Sequence, residues 1–296
     1  MIRNALSLFS ALVLSSPAVA APAAPITQYA SPEAVFAVNS WLVPTDTGVV
    51  VIDTQFTVTE ADKLAAAVAA GKRPLRAIVI THPHPDHYNG TCRLLKLADV
   101  PVYATHSTID AIRATEAAKR AQWKPTYGIE YPDETCLPDH AVPDSGEITV
   151  DGLLLRIRNY GAGEATTESV VHVPHLNAVF VGDLIYTQVH PWLAEGRSAQ
   201  WLTQLDRLMQ DVMPGSTVYA GHGSSGTVAV ISAQRRYIKQ FRAATRRRLQ
   251  GGVLSKAATE DLVKEFTTQY PRWPLQMLLP INASAIAAEL SAQGTP

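Results

Sequence analysis

The chain has 296 residues, of which 47% are hydrophobic, and its 25 basic and 26 acidic residues give a formal net charge of −1. This near-neutral balance argues against a nucleic-acid partner, which requires a basic surface. The length and the apolar content are sufficient to bury a substantial core, so we expect one large domain rather than two small ones.

The first twenty residues have the pattern of an export signal. Arg3 supplies a positive start, residues 5–14 form an apolar stretch, and Ala18-Val19-Ala20 is typical of a cleavage site. We therefore predict a signal peptide over residues 1–20 and a periplasmic or secreted mature protein, with an uncleaved anchor as the alternative. No later stretch reaches the roughly 18 apolar residues that a membrane span requires, so we expect no membrane insertion of the mature chain.

The first half of the main domain alternates between strands and helices. Residues 21–34 are rich in alanine and proline, so we interpret them as a linker that leads into a domain over residues 35–230. The predicted elements in chain order are strands at 41–43 and 49–52, a helix at 59–70, a strand at 77–80, a helix at 92–97, a strand at 102–104 and a helix from about Ser107 to Arg120.

The second half begins with a segment that has little periodicity. Residues 122–146 hold four prolines and several aromatic residues, and they are predicted to be a long loop that covers a site. Residues 231–296 are predicted to be a helical extension packed on the same domain. The elements between are strands at 147–150, 153–158, 169–173 and 178–181, a helix at 198–209 and a strand at 217–220. Two successive blocks of strands and helices predict an α/β fold with two packed sheets and outer helices.

Four side chains with metal-binding atoms are crowded into residues 82–87, directly after an apolar strand. The sequence from Thr81 reads Thr-His-Pro-His-Pro-Asp-His. Imidazole nitrogen and carboxylate oxygen together suit Zn²⁺ or a similar divalent ion, whereas Ca²⁺ and Mg²⁺ prefer oxygen ligands almost alone. Four ligands so close in sequence cannot easily surround one tetrahedral ion, so the segment indicates two adjacent metals completed by other residues. The cluster consists of His82, His84, Asp86 and His87.

Three later residues also follow apolar strands and have glycine neighbours. Glu164 lies in Gly-Ala-Gly-Glu-Ala, Asp183 in Phe-Val-Gly-Asp, and His222 in Tyr-Ala-Gly-His-Gly. Glycine lets the backbone turn sharply, so that each side chain can face a common cleft. An isolated aspartate after a strand is more often a helix cap, and an isolated histidine more often has a structural role. Together with the earlier cluster, however, the three residues indicate one shared site.

Cys92 and Cys136 are the only cysteines. In an oxidising compartment they could pair, but two small apolar residues buried apart from each other fit the sequence equally well. Neither cysteine lies in a metal-ligand pattern. The sequence therefore leaves both alternatives open.

With these residues the chain resembles the metallo-β-lactamase superfamily, whose HxHxDH motif is matched by residues 82–87. The resemblance extends from about Trp41 to Gly223 and includes Asp53 at a strand end. It implies an αββα sandwich with a dinuclear metal cleft along one edge of the sheets. The implied ligands are His82 and His84 for the first metal, Asp86, His87 and His222 for the second, and Asp183 as a bridge between them.

One position departs from the family pattern. The family's usual third ligand of the first metal is a histidine, and Glu164 stands in its place. We expect Glu164 to bind the metal, since carboxylate oxygen is an accepted Zn²⁺ ligand. Two alternatives remain: Glu168 could serve instead, or Glu164 could only form hydrogen bonds beside a weak first site.

The resemblance implies metal-dependent hydrolysis with two zinc ions per chain, in which a metal-bound hydroxide attacks a small-molecule substrate. The substrate classes are a small ester, a lactone, a sulfate ester or a β-lactam. Asp86 is the candidate catalytic residue, Asp53 is expected to support the histidines, and His190 is expected to line the cleft. The alternative functions are an iron-dependent, non-hydrolytic oxidoreductase of the same fold and a non-catalytic periplasmic metal-binding protein.

Overall fold

The computed structural model describes residues 25–293, in which two β-sheets pack face to face between layers of helices. This arrangement confirms the predicted αββα sandwich. The predicted signal peptide lies outside the described residues. Among residues 25–293, no helix combines the length and the apolar character that crossing a membrane demands.

The first sheet has six strands in the order β1-β2-β3-β4-β5-β6. The pairs from β1 to β3 are antiparallel, and those from β3 to β6 are parallel. The parallel strands are buried on both sides, which explains the uninterrupted apolar sequence of Val49–Ile52. The strands are Thr27–Ala30 (β1), Asn39–Pro44 (β2), Val49–Ile52 (β3), Leu75–Val79 (β4), Val102–Thr105 (β5) and His140–Val142 (β6).

The second sheet has five strands in the order β12-β10-β9-β8-β7, and a short pair, β11-β13, lies apart from it. All neighbours in the five-stranded sheet are antiparallel except β10 and β12, which are parallel. The strands are Ser145–Val150 (β7), Leu153–Gly161 (β8), Glu168–Val173 (β9), Ala178–Phe180 (β10), Tyr186–Thr187 (β11), Thr217–Tyr219 (β12) and His222–Gly223 (β13).

Helices cover the outer face of each sheet. Helices α1, α3 and α4 contribute apolar residues to the core on the first sheet, whereas α5 to α8 contribute to a larger core on the second. The helices are Val58–Ala70 (α1), Pro85–Tyr88 (α2), Thr91–Leu95 (α3), His106–Tyr127 (α4), Ser198–Asp211 (α5), Ala229–Arg248 (α6), Lys256–Gln269 (α7) and Leu279–Gln293 (α8).

Alternation along the strands separates the core between the sheets from the core under the helices. Val50 and Ile52 of β3 face the second sheet, where they join Leu155 and Phe180. Val51, which lies between them in sequence, faces the helices. This period of two is the side-chain geometry of an extended strand.

The N-terminal part of the domain differs from the prediction. Residues 27–30 fall within the predicted linker, but they form the edge strand β1, which pairs with β2. The sequence Thr-Gln-Tyr-Ala has mostly exposed side chains, so it lacks the apolar alternation that indicates a strand. An edge strand is stabilised by backbone pairing on one side alone and needs no such pattern.

The predicted loop at 122–146 is also partly wrong. Helix α4 continues through Pro125 to Tyr127, and residues 140–142 form β6. Aromatic packing holds this last part of the helix: the ring centroids of Trp123 and Phe36 are 5.4 Å apart, and those of Tyr127 and Phe56 are 4.7 Å apart. Tertiary contacts thus outweigh the poor helix propensity of proline.

The structure joins Cys92 of α3 to Cys136 of the segment before β6 in a disulfide. Of the two alternatives that the sequence left open, pairing is therefore the one observed. The bond encloses a loop with a sequence separation of 44 residues, which contains all of α4. A cross-link of this length restricts the unfolded chain strongly.

We predict that replacing both cysteines by serine lowers the free energy of unfolding by about 2–4 kcal/mol, because the unfolded chain regains its loop entropy. Denaturant titration of the wild type and the double variant measures this change. A reductant should destabilise the wild type by a similar amount and leave the double variant unchanged. Equal stability of the oxidised and reduced wild type would contradict the prediction.

Candidate metal centre

The candidate site lies at one edge of the sandwich, where strands of both sheets end. Strands β3 and β4 are parallel, and their carboxyl ends lead to Asp53 and His82. Strands β10 and β12 are parallel as well, and they lead to Asp183 and His222. Strand β8 is antiparallel to β9, as is β10, so Glu164 after β8 reaches the same edge. Side chains that are distant in sequence therefore meet.

Backbone hydrogen bonds fix the loops that carry these side chains. The Ser169 amide donates to the Thr81 carbonyl at 3.0 Å, which ties the second sheet to the histidine-rich segment of the first. The Gly221 amide donates to the Gly182 carbonyl at 2.8 Å. The loops before Asp183 and His222 are thereby held side by side.

The histidine-rich segment changes from extended chain to helix at His84. His84 has extended dihedral angles, φ −97° and ψ 141°, and precedes Pro85, which occupies the first position of α2. Proline suits that position because its missing amide would have no partner there. The change of direction places His82 and His84 before the helix and puts Asp86 and His87 on it.

One group of four buried side chains gathers around Glu164. The Nδ1 atom of His84 lies 2.9 Å from Glu164 Oε2, and the Nε2 atom of His82 lies 3.9 Å from the same oxygen. Asp183 Oδ2 is 3.7 Å from His82 Nε2. Each of the four residues offers one donor atom, and these atoms lie within 4.8 Å of one another.

A second group consists of Asp86, His87 and His222, whose donor atoms satisfy the same limit of 4.8 Å. Asp86 Oδ2 lies 3.6 Å from the Nε2 atoms of both histidines. Asp183 lies between the two groups, because its Oδ1 is 3.3 Å from His87 Nε2 and its Oδ2 is 3.1 Å from His222 Nε2.

Several atoms of the two groups are buried without any hydrogen-bond partner. Buried polar atoms are rarely left in this condition, because each loses its contacts with water and gains nothing in return. The unpartnered atoms of the site are His82 Nε2, His87 Nε2 and Asp183 Oδ1. They are electron-pair donors of the nitrogen and oxygen types that bind divalent metals, so the residues fit such a centre.

Protonation within the two groups follows the same arrangement. Burial opposes a charged His84, but the charge and hydrogen bond of Glu164 and the hydrogen bond of Glu195 raise its pKa to about 10. Burial raises the pKa of Glu164 to about 7, although His84 counteracts the shift. Burial would also raise the pKa of Asp183, but His222 and His87 hold it well below its usual value. A bound cation would take over the charge balance that a proton on His84 provides.

Glu164 and Glu168 are placed differently with respect to His82. Glu164 Oε2 faces the Nε2 atom of His82 within the first group, whereas Glu168 Oε2 lies 3.9 Å from the opposite nitrogen, Nδ1. The other oxygen of Glu168 accepts a hydrogen bond from the Ala165 amide at 2.8 Å. Glu168 therefore lies on the side of the His82 ring that faces away from the donor cluster, whereas Glu164 lies on the side that faces it.

Asp53 contacts the histidine-rich segment, in line with the supporting role that the resemblance implied. Its carboxylate accepts hydrogen bonds from the Thr81 amide at 2.8 Å and from the Thr81 hydroxyl at 2.7 Å, and it lies 2.9 Å from His87 Nδ1. A carboxylate on the outer nitrogen of an imidazole fixes the orientation of the ring. Asp53 adopts a left-handed backbone conformation with φ 60°, which is uncommon outside glycine.

Two further residues of the site had no signal in the sequence. The Tyr186 hydroxyl donates to Asp183 Oδ2 at 2.5 Å, and the Tyr186 ring stacks on His222 with centroids 4.4 Å apart. Glu195 Oε1 lies 3.3 Å from His84 Nε2 and accepts a hydrogen bond from Lys119 at 3.1 Å. Nearness to Asp183 in the sequence was the only feature that pointed to Tyr186 as a site residue. Glu195 and Lys119 lie on separate elements, so no local pattern connected them with the site.

His190 lies elsewhere, which corrects the expectation that it lines the cleft. Its ring is fully buried, its Nδ1 is 2.7 Å from the Tyr237 hydroxyl, and its centroid is 5.7 Å from that of Trp273. Burial lowers the pKa of His190 to about 4. The C-terminal helices enclose this residue. Its position a few residues after Asp183 in the sequence therefore gave the wrong location.

The clustered residues form the floor of a cleft of about 450 Å³, a volume that includes open solvent. The polar residues that line the cleft are His84, Asp86, Lys119, Glu164, Asp183, Tyr186 and His222.

The sequence model of the metallo-beta-lactamase superfamily matches residues 34–222, which is more than half of the chain. The chain therefore belongs to the metallo-beta-lactamase superfamily. A metallo-beta-lactamase type 2 from Bacteroides fragilis is 24% identical over 164 residues, a match that covers 53% of this chain and 59% of that protein. The chain thus spans about three fifths of that relative's length.

Solved structures share the fold at low sequence identity. A metallo-beta-lactamase family protein from Thermus thermophilus superposes with a TM-score of 0.67 at 20% identity, over 91% of this chain and 93% of that one. A metallo-beta-lactamase from Pontibacter korlensis gives a TM-score of 0.55 at 21% identity, over 72% and 94% of the two chains. The larger coverage of the Thermus protein requires that the shared fold continue beyond His222.

We predict that Gly221→Ala disrupts the centre, because a Cβ atom at this position would overlap Asp183 Oδ1 and lie 2.8 Å from the Gly182 backbone. Overpacking of this kind costs about 1–3 kcal/mol. Thermal unfolding and the content of bound divalent metal should both decrease. Gly71→Ala at the end of α1 is the control and should change metal content little. Wild-type values for Gly221→Ala would contradict the predicted overlap.

Proposed function

We propose that the protein is a zinc-dependent hydrolase with two metal ions per chain, which cleaves a small ester, lactone, sulfate ester or β-lactam. The observation that carries this proposal is the convergence of unpartnered nitrogen and oxygen atoms from both sheets at one cleft. Membership of the metallo-beta-lactamase superfamily supports it independently.

The donor sets divide into two sites that share one carboxylate. His82, His84 and Glu164 would hold one zinc ion, Asp86, His87 and His222 would hold the other, and Asp183 would contact both. Mixed imidazole and carboxylate ligands favour zinc over magnesium or calcium. When bound, the metal pair lowers the pKa of a water molecule and stabilises the negative charge that develops on the substrate.

Asp86 is placed to handle the proton of the attacking water. Its carboxylate lines the cleft and its side chain is 15% exposed, whereas the surrounding histidines are fully or almost fully buried. A carboxylate at this position can orient the water and accept its proton.

Tyr186 and Asp53 hold the reacting groups in position from opposite sides. The phenol of Tyr186 stays protonated, because burial and the neighbouring Asp183 raise its pKa well above the usual value. It can therefore donate steadily to Asp183 Oδ2. Asp53 orients His87 through the ring nitrogen that faces away from the cluster.

Export is part of the proposal. The signal-like sequence at residues 1–20 motivates it, and the Cys92–Cys136 disulfide supports it, since such bonds persist mainly in oxidising compartments. An exported enzyme would meet substrates from outside the cell. The Bacteroides fragilis relative and several structural neighbours are described as metallo-beta-lactamases, so β-lactams belong among the substrates to be tested.

We predict that the purified protein contains about two zinc ions per chain and hydrolyses at least one class in a panel of aryl esters, lactones, sulfate esters and β-lactams. A chelator should abolish the activity, and zinc should restore it. Elemental analysis and initial rates measure both quantities. Bound iron with oxygen-dependent turnover would support the oxidoreductase alternative, and bound metal without turnover on any substrate would support a metal-binding protein.

We predict that Glu164→Gln weakens zinc binding more than Glu168→Gln, because Glu164 Oε2 alone of the two faces the side of the donor cluster. Loss of a supporting carboxylate typically costs about 10–100-fold in metal affinity, and loss of a ligand should cost more. Competition with a fluorescent chelator measures the two affinities without requiring turnover. A larger loss in Glu168→Gln would assign the ligand to that residue.

A further inference from the structure

The cleft has an apolar wall built from segments that are far apart in the sequence. Two of its residues come from the N-terminal part, one from α4, one from the loop before α5, and two from the segment before α8. They are Phe36, Phe56, Trp123, Trp192, Leu275 and Leu278. The aromatic members touch in series: the centroids of Phe36 and Trp123 are 5.4 Å apart, and those of Trp123 and Trp192 are 6.5 Å apart.

The backbone at two of these positions adopts an unfavourable conformation. Phe36 has φ 73° and Leu275 has φ 65°, both in the left-handed region that few residues other than glycine occupy. Such strain persists where the surrounding structure imposes it, and it concentrates at ligand-binding sites. Both of these residues line the cleft.

Hydrogen bonds connect the wall to the candidate metal centre. They also connect the N-terminal part of the wall to its C-terminal part. The Phe36 carbonyl lies 2.8 Å from His222 Nδ1, so the segment that orients this histidine also supplies part of the wall. The Glu33 carboxylate accepts a hydrogen bond from the Leu275 amide at 2.8 Å. The wall is therefore a fixed part of the site, and the C-terminal part of it lies beyond the residues that match the family.

The wall offers no free positive charge to an anionic group. Among the described residues that line the cleft, Lys119 is the only lysine or arginine. Its ammonium group is 3.1 Å from Glu195, which also bonds His84. The charge of Lys119 is thus already balanced, and the surface next to it is aromatic and aliphatic.

We propose that this wall binds an uncharged apolar group of the substrate, an alkyl chain or an aromatic ring, and thereby places the scissile bond over the metal centre. The inference rests on the proposed hydrolysis, because it names the substrate class of the same site. Burial of apolar surface against the wall supplies the binding energy, and an anionic group would lose its hydration there without gaining a partner.

The first experiment uses the zinc-loaded protein and 4-nitrophenyl esters and γ-alkyl lactones of increasing chain length. Each methylene buried against the wall should raise kcat/KM by about two- to fourfold until the wall is filled. Esters that end in a carboxylate should lose this gain. Rates that do not depend on chain length, or that increase with the terminal carboxylate, would overturn the proposal.

Two variants test the wall itself. Trp123→Ala and Leu278→Ala should reduce the gain in kcat/KM per methylene. The controls are neighbours in the chain that point to solvent, Ile129→Ala, at 89% exposure, and Met277→Ala, at 51%. Both controls should retain the wild-type dependence. Leu278 is buried, whereas Trp123 is only partly buried, so Trp123→Ala keeps the test valid if Leu278→Ala fails to fold.

A binding measurement separates this inference from the proposed function. N-alkyl amides, which the enzyme should not cleave rapidly, should quench tryptophan fluorescence with an affinity that increases with chain length. Such binding without turnover of any ester, lactone, sulfate ester or β-lactam would contradict the proposed function and still support the apolar binding site. Turnover without chain-length dependence in either measurement would support the proposed hydrolysis and contradict binding of an apolar group by the wall.

Discussion

The fold depends on one constraint: buried acids and imidazoles at the strand ends must find partners other than water. Asp183 is at the centre of this constraint, since it lies within 3.7 Å of three histidines and accepts a hydrogen bond from Tyr186. Several of the surrounding atoms have no partner within the protein. A cluster of this kind is stable only if protons or cations balance it, so folding, protonation and metal binding become one linked equilibrium.

Much of the fold and of the site could be predicted from the sequence, because the signals are local. Residues 82–87 and the glycine-flanked Glu164, Asp183 and His222 combine ligand chemistry with strand ends, and the structure brings them together as expected. The order of strands and helices likewise predicted the sandwich. Both predictions use short stretches in which periodicity and composition carry the information.

The remaining features depend on contacts between distant segments, which a single sequence does not encode locally. β1 is an edge strand with a polar sequence, and α4 extends past Pro125 because aromatic rings hold its end. Glu195 lies in the loop before α5, far from His84 in sequence, and only the tertiary fold brings the two together. His190 shows the opposite error, since nearness in sequence to Asp183 suggested a cleft position and the C-terminal helices bury it instead.

The Cys92–Cys136 disulfide gives the two sides of the cleft mouth different mechanical character. The covalent loop contains α4 and therefore Trp123 and Lys119, so that rim is anchored by a bond. The part of the wall around Leu275 is held by the Glu33 hydrogen bond and by side-chain packing. The cleft is thus shaped before a guest arrives, in one part within a covalent ring and in the other by non-covalent contacts alone.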